Sequence, residues 1–126
     1  MNVDIGSLGI GYHEVIEEMI SGMKSVELYE SPAADVIIES HKLFEQLVYP
    51  KSFLVQKKRL EQECEDIIYN GNWFSKRCNE LKLKLKEMQK RLTGNITVEC
   101  SQIGIHIVSF KSDFSLYDAN KRSLEL

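Results

Sequence analysis

No stretch of this sequence approaches the ~20 consecutive apolar residues of a membrane-crossing helix, so no membrane partner is expected. The amino terminus, Met1-Asn2-Val3-Asp4, lacks the basic and apolar regions of a secretion signal. Cysteine is sparse: Cys64, Cys78 and Cys100 are odd in number, far apart, and form no Cys-x-x-Cys pair that would point to zinc or redox work. They read as reduced thiols in a cytoplasmic protein. The sequon Asn95-Ile96-Thr97 is then without consequence, because glycosylation needs a secretory route. Positive charge is not in excess, and a net charge of −3 argues against nucleic acid as an obligatory partner. Lys57-Lys58-Arg59 and the lysines between Leu81 and Arg91 are diluted by Glu61, Glu63, Glu80 and Glu87, which makes them solvated helical faces.

Two further absences limit the chemistry. His13, His41 and His106 fall on different elements, with no pair spaced for a shared metal, so no metal site is expected. Gly6-Ser7-Leu8-Gly9-Ile10-Gly11 lacks the lysine and serine of a P-loop, and no convincing strand leads into it. It reads as a flexible turn into a helix.

What is present fits a folded protein. The chain has 126 residues, 43% hydrophobic and 28% charged, enough for one domain with a real core. Val15, Ile16, Met19, Ile20 and Met23 recur at three and four residues and predict a first helix from about His13 to Met23. Glu14, Glu17 and Glu18 would suit its positive end. Ser25 to Tyr29 alternates Val26 and Leu28 against charged neighbours and predicts a short strand.

Ser31-Pro32 starts the next helix, which ends before Pro50. A third runs from about Phe53 to Tyr69 and stops at the left-handed turn of Asn70-Gly71. Ser75 caps a fourth, to about Leu92, whose Cys78, Leu81, Leu85, Met88 and Leu92 make a heptad seam. After Thr93-Gly94 comes a hairpin: Ile96 to Ser101, a turn near Gln102, then Ile103 to Phe110. The second strand is apolar on both faces, with Ile105 and Ile107 opposite Val108 and Phe110. A lone hairpin is marginal in water, so something outside the chain is expected to complete that sheet. The fold class expected is α+β, about four helices packed with a carboxy-terminal antiparallel hairpin.

One pair of side chains carries ligand chemistry. A carboxylate such as Glu17 can hold the ammonium group of an amino acid through charge-assisted bonds, and a phenol such as Tyr29 can donate or accept beside it. On residue chemistry alone the plain alternatives stay open: an exposed glutamate, and a tyrosine that packs its ring.

Three segments then bear on family. The first reads Gly9-Ile10-Gly11-Tyr12, Ile16-Glu17-Glu18-Met19 and Gly22-Met23-Lys24-Ser25-Val26-Glu27-Leu28-Tyr29-Glu30-Ser31-Pro32; the others are Tyr69 to Ser75 and Lys111 to Tyr117. In order and spacing they resemble the carboxy-terminal part of argininosuccinate synthases, which join citrulline to aspartate using ATP. The resemblance covers nearly the whole chain. It implies that Glu17 and Tyr29 bind citrulline. Where the family motif has arginine this chain has Tyr12, Met19 and Val26; asparagine is replaced by Glu18, glycine by Glu27, and prolines by Lys76 and Asp113.

The resemblance also implies what the chain needs. The family's Ser-Gly-Gly-x-Asp-Thr/Ser loop has no counterpart here, so this chain alone is expected to bind no cofactor and to catalyse nothing. The leading expectation is therefore a non-catalytic portion of an ATP-dependent C–N ligase of arginine biosynthesis and the urea cycle. It would act beside an ATP-binding partner chain. The alternative is a stand-alone interaction or oligomerisation module, self-associating through the heptad seam or the exposed hairpin edge, with Glu17 and Tyr29 as relics. A small amino-acid sensor is a third expectation.

Overall fold

A computed structural model describes residues 1–117. Its fold class is α+β, as expected, with four helices and two antiparallel hairpins, one of them at the carboxy-terminal end. The order is α1 (Asn2–Gly6), β1 (Tyr12–Glu18), β2 (Lys24–Glu30), α2 (Pro32–Val48), α3 (Lys51–Tyr69), α4 (Lys76–Met88), β3 (Asn95–Ser101) and β4 (Gly104–Lys111). The backbone divides into two compact units, residues 1–43 with 96–109, and residues 44–95 with 110–117.

In the first unit, the helix expected over His13 to Met23 is instead a hairpin. β1 and β2 pair antiparallel with Ile16 opposite Val26, and His13 opposite Tyr29. The connection explains why. Gly22 N donates to Met19 O at 2.8 Å, Met19 N donates to Met23 O at 2.8 Å, and Gly22 sits at φ 81°. This is a three-residue loop closed by a left-handed glycine, a common hairpin connection. Met19, Ile20 and Met23, which complete a helical stripe on paper, lie in or beside that loop. The β-branched Val15 and Ile16 suit the strand that precedes it. The expected strand at Ser25 to Tyr29 lies within β2.

α2 begins at Pro32, as expected, and one of its orphan first-turn amides, Ala33 N, donates to Asn2 Oδ1 at 2.9 Å. Gly11 has a specific reason to be glycine. Its φ is 91°, and a Cβ there would overlap the backbone of Pro32. Gly11 O accepts from Ser31 N at 2.8 Å, so the turn before β1 lies directly against the start of α2.

In the second unit α3 and α4 pack around a shared core. Cys64, Cys78 and Leu81 are buried together, flanked by Leu60, Ile67 and Leu85. The seam expected on α4 is thus occupied by α3, and it is not available for assembly at Cys78 or Leu81. Ser75 caps α4 as expected, its side chain accepting from Cys78 N at 3.2 Å. α4 itself ends at Met88, short of Leu92.

Lys57 is 3% exposed and lies 2.7 Å from Glu45 Oε1, with Glu61 one turn along also on its ammonium. Burial pulls its pKa down, but hydrogen bonds to Glu45 and Glu61 outweigh this and hold it above its ordinary value. Tyr49 stacks on Phe53 with centroids 4.4 Å apart and donates its hydroxyl to Met88 O at 2.6 Å. Among the described residues no helix is long and apolar enough to cross a membrane, and no cluster of three or more His, Cys, Asp or Glu could hold a metal ion.

Candidate functional site

The first unit brings together the two side chains singled out in the sequence. Side chains of a β-ladder alternate between faces, so His13, Val15 and Glu17 on β1 share one face with Ser25, Glu27 and Tyr29 on β2. Tyr29 donates its hydroxyl to Glu17 Oε1 at 2.6 Å. They are not direct partners in the ladder, since Glu17 faces Ser25 and Tyr29 faces His13. Their side chains therefore meet diagonally over the Val15–Glu27 pair. Tyr29 stands four residues along β2 from Ser25, so the phenol and the carboxylate both lean along the sheet to meet.

A further group flanks this pair. His13 Nε2 lies 2.6 Å from Asp35 Oδ2 on α2, which fixes the imidazole beside the strand position of Tyr29. The sequence reading missed this contact. His13 and Asp35 are 22 residues apart, and only the Ser21-Gly22 turn signal could have revealed the hairpin that places His13 opposite Tyr29. Glu27 adds a carboxylate to the same face. The face therefore carries two glutamates, a phenol, a hydroxyl and an imidazole held by a carboxylate. Such a set can receive the ammonium of an amino acid and hydrogen-bond neutral donors around it.

His41 and His106, by contrast, lie on α2 and β4 and do not join this face. The other two family-like segments do structural work. In Tyr69 to Ser75, Asn70 Nδ2 donates to Asp66 O at 2.8 Å, Gly71 takes φ 79°, and Ser75 opens α4. Trp73 lies under the Lys82 ammonium, 3.8 Å from the ring centroid. In Lys111 to Tyr117, Ser112 Oγ donates to Thr93 O at 2.8 Å, and Leu116 N donates to Leu47 O at 2.8 Å.

The Gly6 to Gly11 turn borders an open cavity of about 420 Å³ whose walls include Asn2, Tyr12, Glu30 and Pro32, with no lysine or arginine among the described residues. A wall carboxylate repels phosphate, and α1 has only five residues. This turn does not fit a nucleotide, and its Gly6 and Gly11 answer to the close approach of Pro32.

Comparison with known proteins agrees with the segments that stand on the page. Residues 1–126 match the family described as "Arginosuccinate synthase C-terminal domain". Argininosuccinate synthase of Dictyoglomus thermophilum is 37% identical over 118 residues, covering 94% of this chain and 30% of that protein. The enzymes of the same name from Geobacillus sp. and Bacillus velezensis are each 39% identical over 118 residues, covering 94% of this chain and 29% of their own length. The chain therefore spans about 30% of the length of the curated relatives it matches. On the match over its full length, the chain belongs to the argininosuccinate synthase C-terminal domain family.

Proposed function

We propose that this chain supplies part of the citrulline site of an argininosuccinate-synthase-type ligase in arginine biosynthesis, and works only with an ATP-binding half in the cytoplasm. The observation that carries the proposal is the Tyr29–Glu17 hydrogen bond on one face of β1 and β2. Glu17 accepts from Tyr29 and, as a carboxylate with about four acceptor sites, has capacity for a ligand ammonium as well. The phenol orients the carboxylate, and Ser25 on the same face offers a donor and acceptor to neutral groups.

The reaction this would serve activates the citrulline ureido oxygen with ATP before aspartate attacks. On this reading the ATP-dependent step falls to the ATP-binding half. The role of this chain is then to bind and orient the amino-acid end of citrulline. The test is calorimetric titration of the chain with citrulline, alone and together with an ATP-binding half. Binding that needs Glu17 and is not shared by alanine supports the proposal; heat changes identical in wild type and Glu17→Ala overturn it.

A further inference from the structure

The second unit holds a cavity that no part of the proposed function uses. It measures about 810 Å³ and opens where the end of α2, the start of α3 and the end of α4 meet the segment after β4. Two hydrogen bonds hold its walls together. Tyr49 donates its hydroxyl to Met88 O at 2.6 Å, tying the α2–α3 junction to the end of α4. Leu116 N donates to Leu47 O at 2.8 Å, which pins the last segment beside α2. The space is therefore formed before any guest arrives, and its size is that of a small-molecule site.

The walls decide what chemistry fits. Val48, Phe53, Met88, Phe114 and Leu116 make an apolar lining, with Phe114 and Leu116 left 47% and 63% exposed. Tyr49 and Phe53 stack on each other with centroids 4.4 Å apart, so a flat guest cannot slot between them. Ring edge, methyl and thioether remain, a lining that suits a flexible aliphatic chain. The mouth is cationic: Lys90 and Arg91 stand against one carboxylate, Glu87, which lies 2.7 Å from the Lys90 ammonium. That leaves the Arg91 guanidinium without an ion pair among the described residues. A positive opening on a chain of net charge −3 is a local feature, not an average one. A guanidinium fork matches a carboxylate, and the stems of lysine and arginine extend an apolar surface. We infer that this cavity binds an aliphatic carboxylate, its chain along the apolar lining and its head on Arg91 with Lys90 beside it. The site shares no residue with the Glu17–Tyr29 face.

The experiment is calorimetric titration of the full chain with hexanoate, octanoate and decanoate, each below its micelle concentration. Two temperatures are used, so that a binding enthalpy near zero at one is seen at the other. Affinity should rise roughly two- to fourfold per added methylene while the cavity still covers the chain. Decanol and decylammonium are the controls. Decanoate should bind about tenfold tighter than either, although an acidic chain attracts a cation at long range. Arg91→Ala should weaken decanoate about tenfold and leave decanol unchanged. Leu116→Asp puts a carboxylate into the lining and should weaken both severalfold.

Circular-dichroism melts check that both variants fold; should Leu116→Asp lose its transition, the exposed Arg91 decides alone. Decanoate that does not bind, binds no better than decylammonium, or ignores Arg91→Ala overturns the inference. Citrulline titrations decide the other site, because Arg91→Ala lies outside it and Glu17→Ala lies outside this one.

Discussion

Tyr29 donates its phenolic proton to Glu17 Oε1 at 2.6 Å, although the ladder sets Tyr29 against His13 and Glu17 against Ser25. The bond is exposed, so its own contribution to folding is small, on the order of 1 kcal/mol or less. What it fixes is the direction of a carboxylate on an exposed face. Tyr29→Phe and Glu17→Ala should therefore leave the melting temperature within a few degrees of wild type. Under the citrulline proposal, Glu17→Ala removes a charge-assisted bond of about 1.5–3 kcal/mol and weakens binding roughly tenfold or more. Tyr29→Phe, which loses only orientation and a neutral bond, should weaken it severalfold. Thermal melts and calorimetric titration of both variants check this.

Gly11 and Gly9 share a turn and a positive φ, 91° and 81°, but not surroundings. A Cβ on Gly11 meets the Pro32 backbone, whereas one on Gly9 meets nothing. Gly9→Ala should cost only the left-handed strain of an alanine, about 1 kcal/mol. Gly11→Ala adds a clash with main chain that cannot rotate away, and should cost more than about 2 kcal/mol. Urea denaturation of the two variants measures the difference. Equal losses would mean that the contact with Pro32 yields easily.

Which parts of this architecture were legible in the sequence follows from how local their causes are. α2, α3 and α4 start or stop on Pro32, Asn70-Gly71 and Ser75, residues whose backbone and capping chemistry acts within one turn, and all three helices appear where those signals stand. The β3–β4 hairpin is close to its expected bounds for the same reason. The stretch from His13 to Met23 is different. Val15, Ile16, Met19, Ile20 and Met23 satisfy a helical period, yet three of them surround a loop closed by Gly22, so the period is a coincidence of a strand followed by an apolar turn.

The face that carries the candidate pair was partly legible too. Glu17 and Tyr29 were named, but a helix under Glu17 hid the face they share. The His13–Asp35 contact needs both the hairpin and the placement of α2, neither of which is encoded by local spacing.

The Lys57 ammonium, buried between Glu45 and Glu61, makes a pH prediction with a definite sign. Its pKa is raised above the ordinary 10.5 in the folded chain. The folded state therefore holds the proton more tightly than the unfolded one, and this stabilisation is fully present below about pH 10.5. It is lost as pH rises through the folded-state value. Lys57→Met leaves Glu45 buried without its partner and should cost about 3 kcal/mol at neutral pH. Adding Glu45→Leu should recover most of that, because an apolar pair of similar volume needs no compensating charge. Urea denaturation at pH 7 and pH 11 measures both effects. In the double variant, the alkaline loss of stability due to this group should disappear.

Cys64 and Cys78 lie buried together between α3 and α4, whereas Cys100 on β3 is only half-buried. Burial, followed by the hydrogen bond with Cys78, pushes the Cys64 thiol above its ordinary pKa. A thiolate is the species that reacts with iodoacetamide, so raising the pKa and excluding solvent both slow alkylation. In the native chain at pH 8, Cys100 should be modified first. Cys64 and Cys78 should react only as the core opens, together and at a rate that rises with urea. Mass spectrometry of timed samples follows each site. Modification of Cys64 ahead of Cys100 without denaturant would mean that the α3–α4 core opens locally far more often than its packing implies, since a buried thiol can be reached only through such openings.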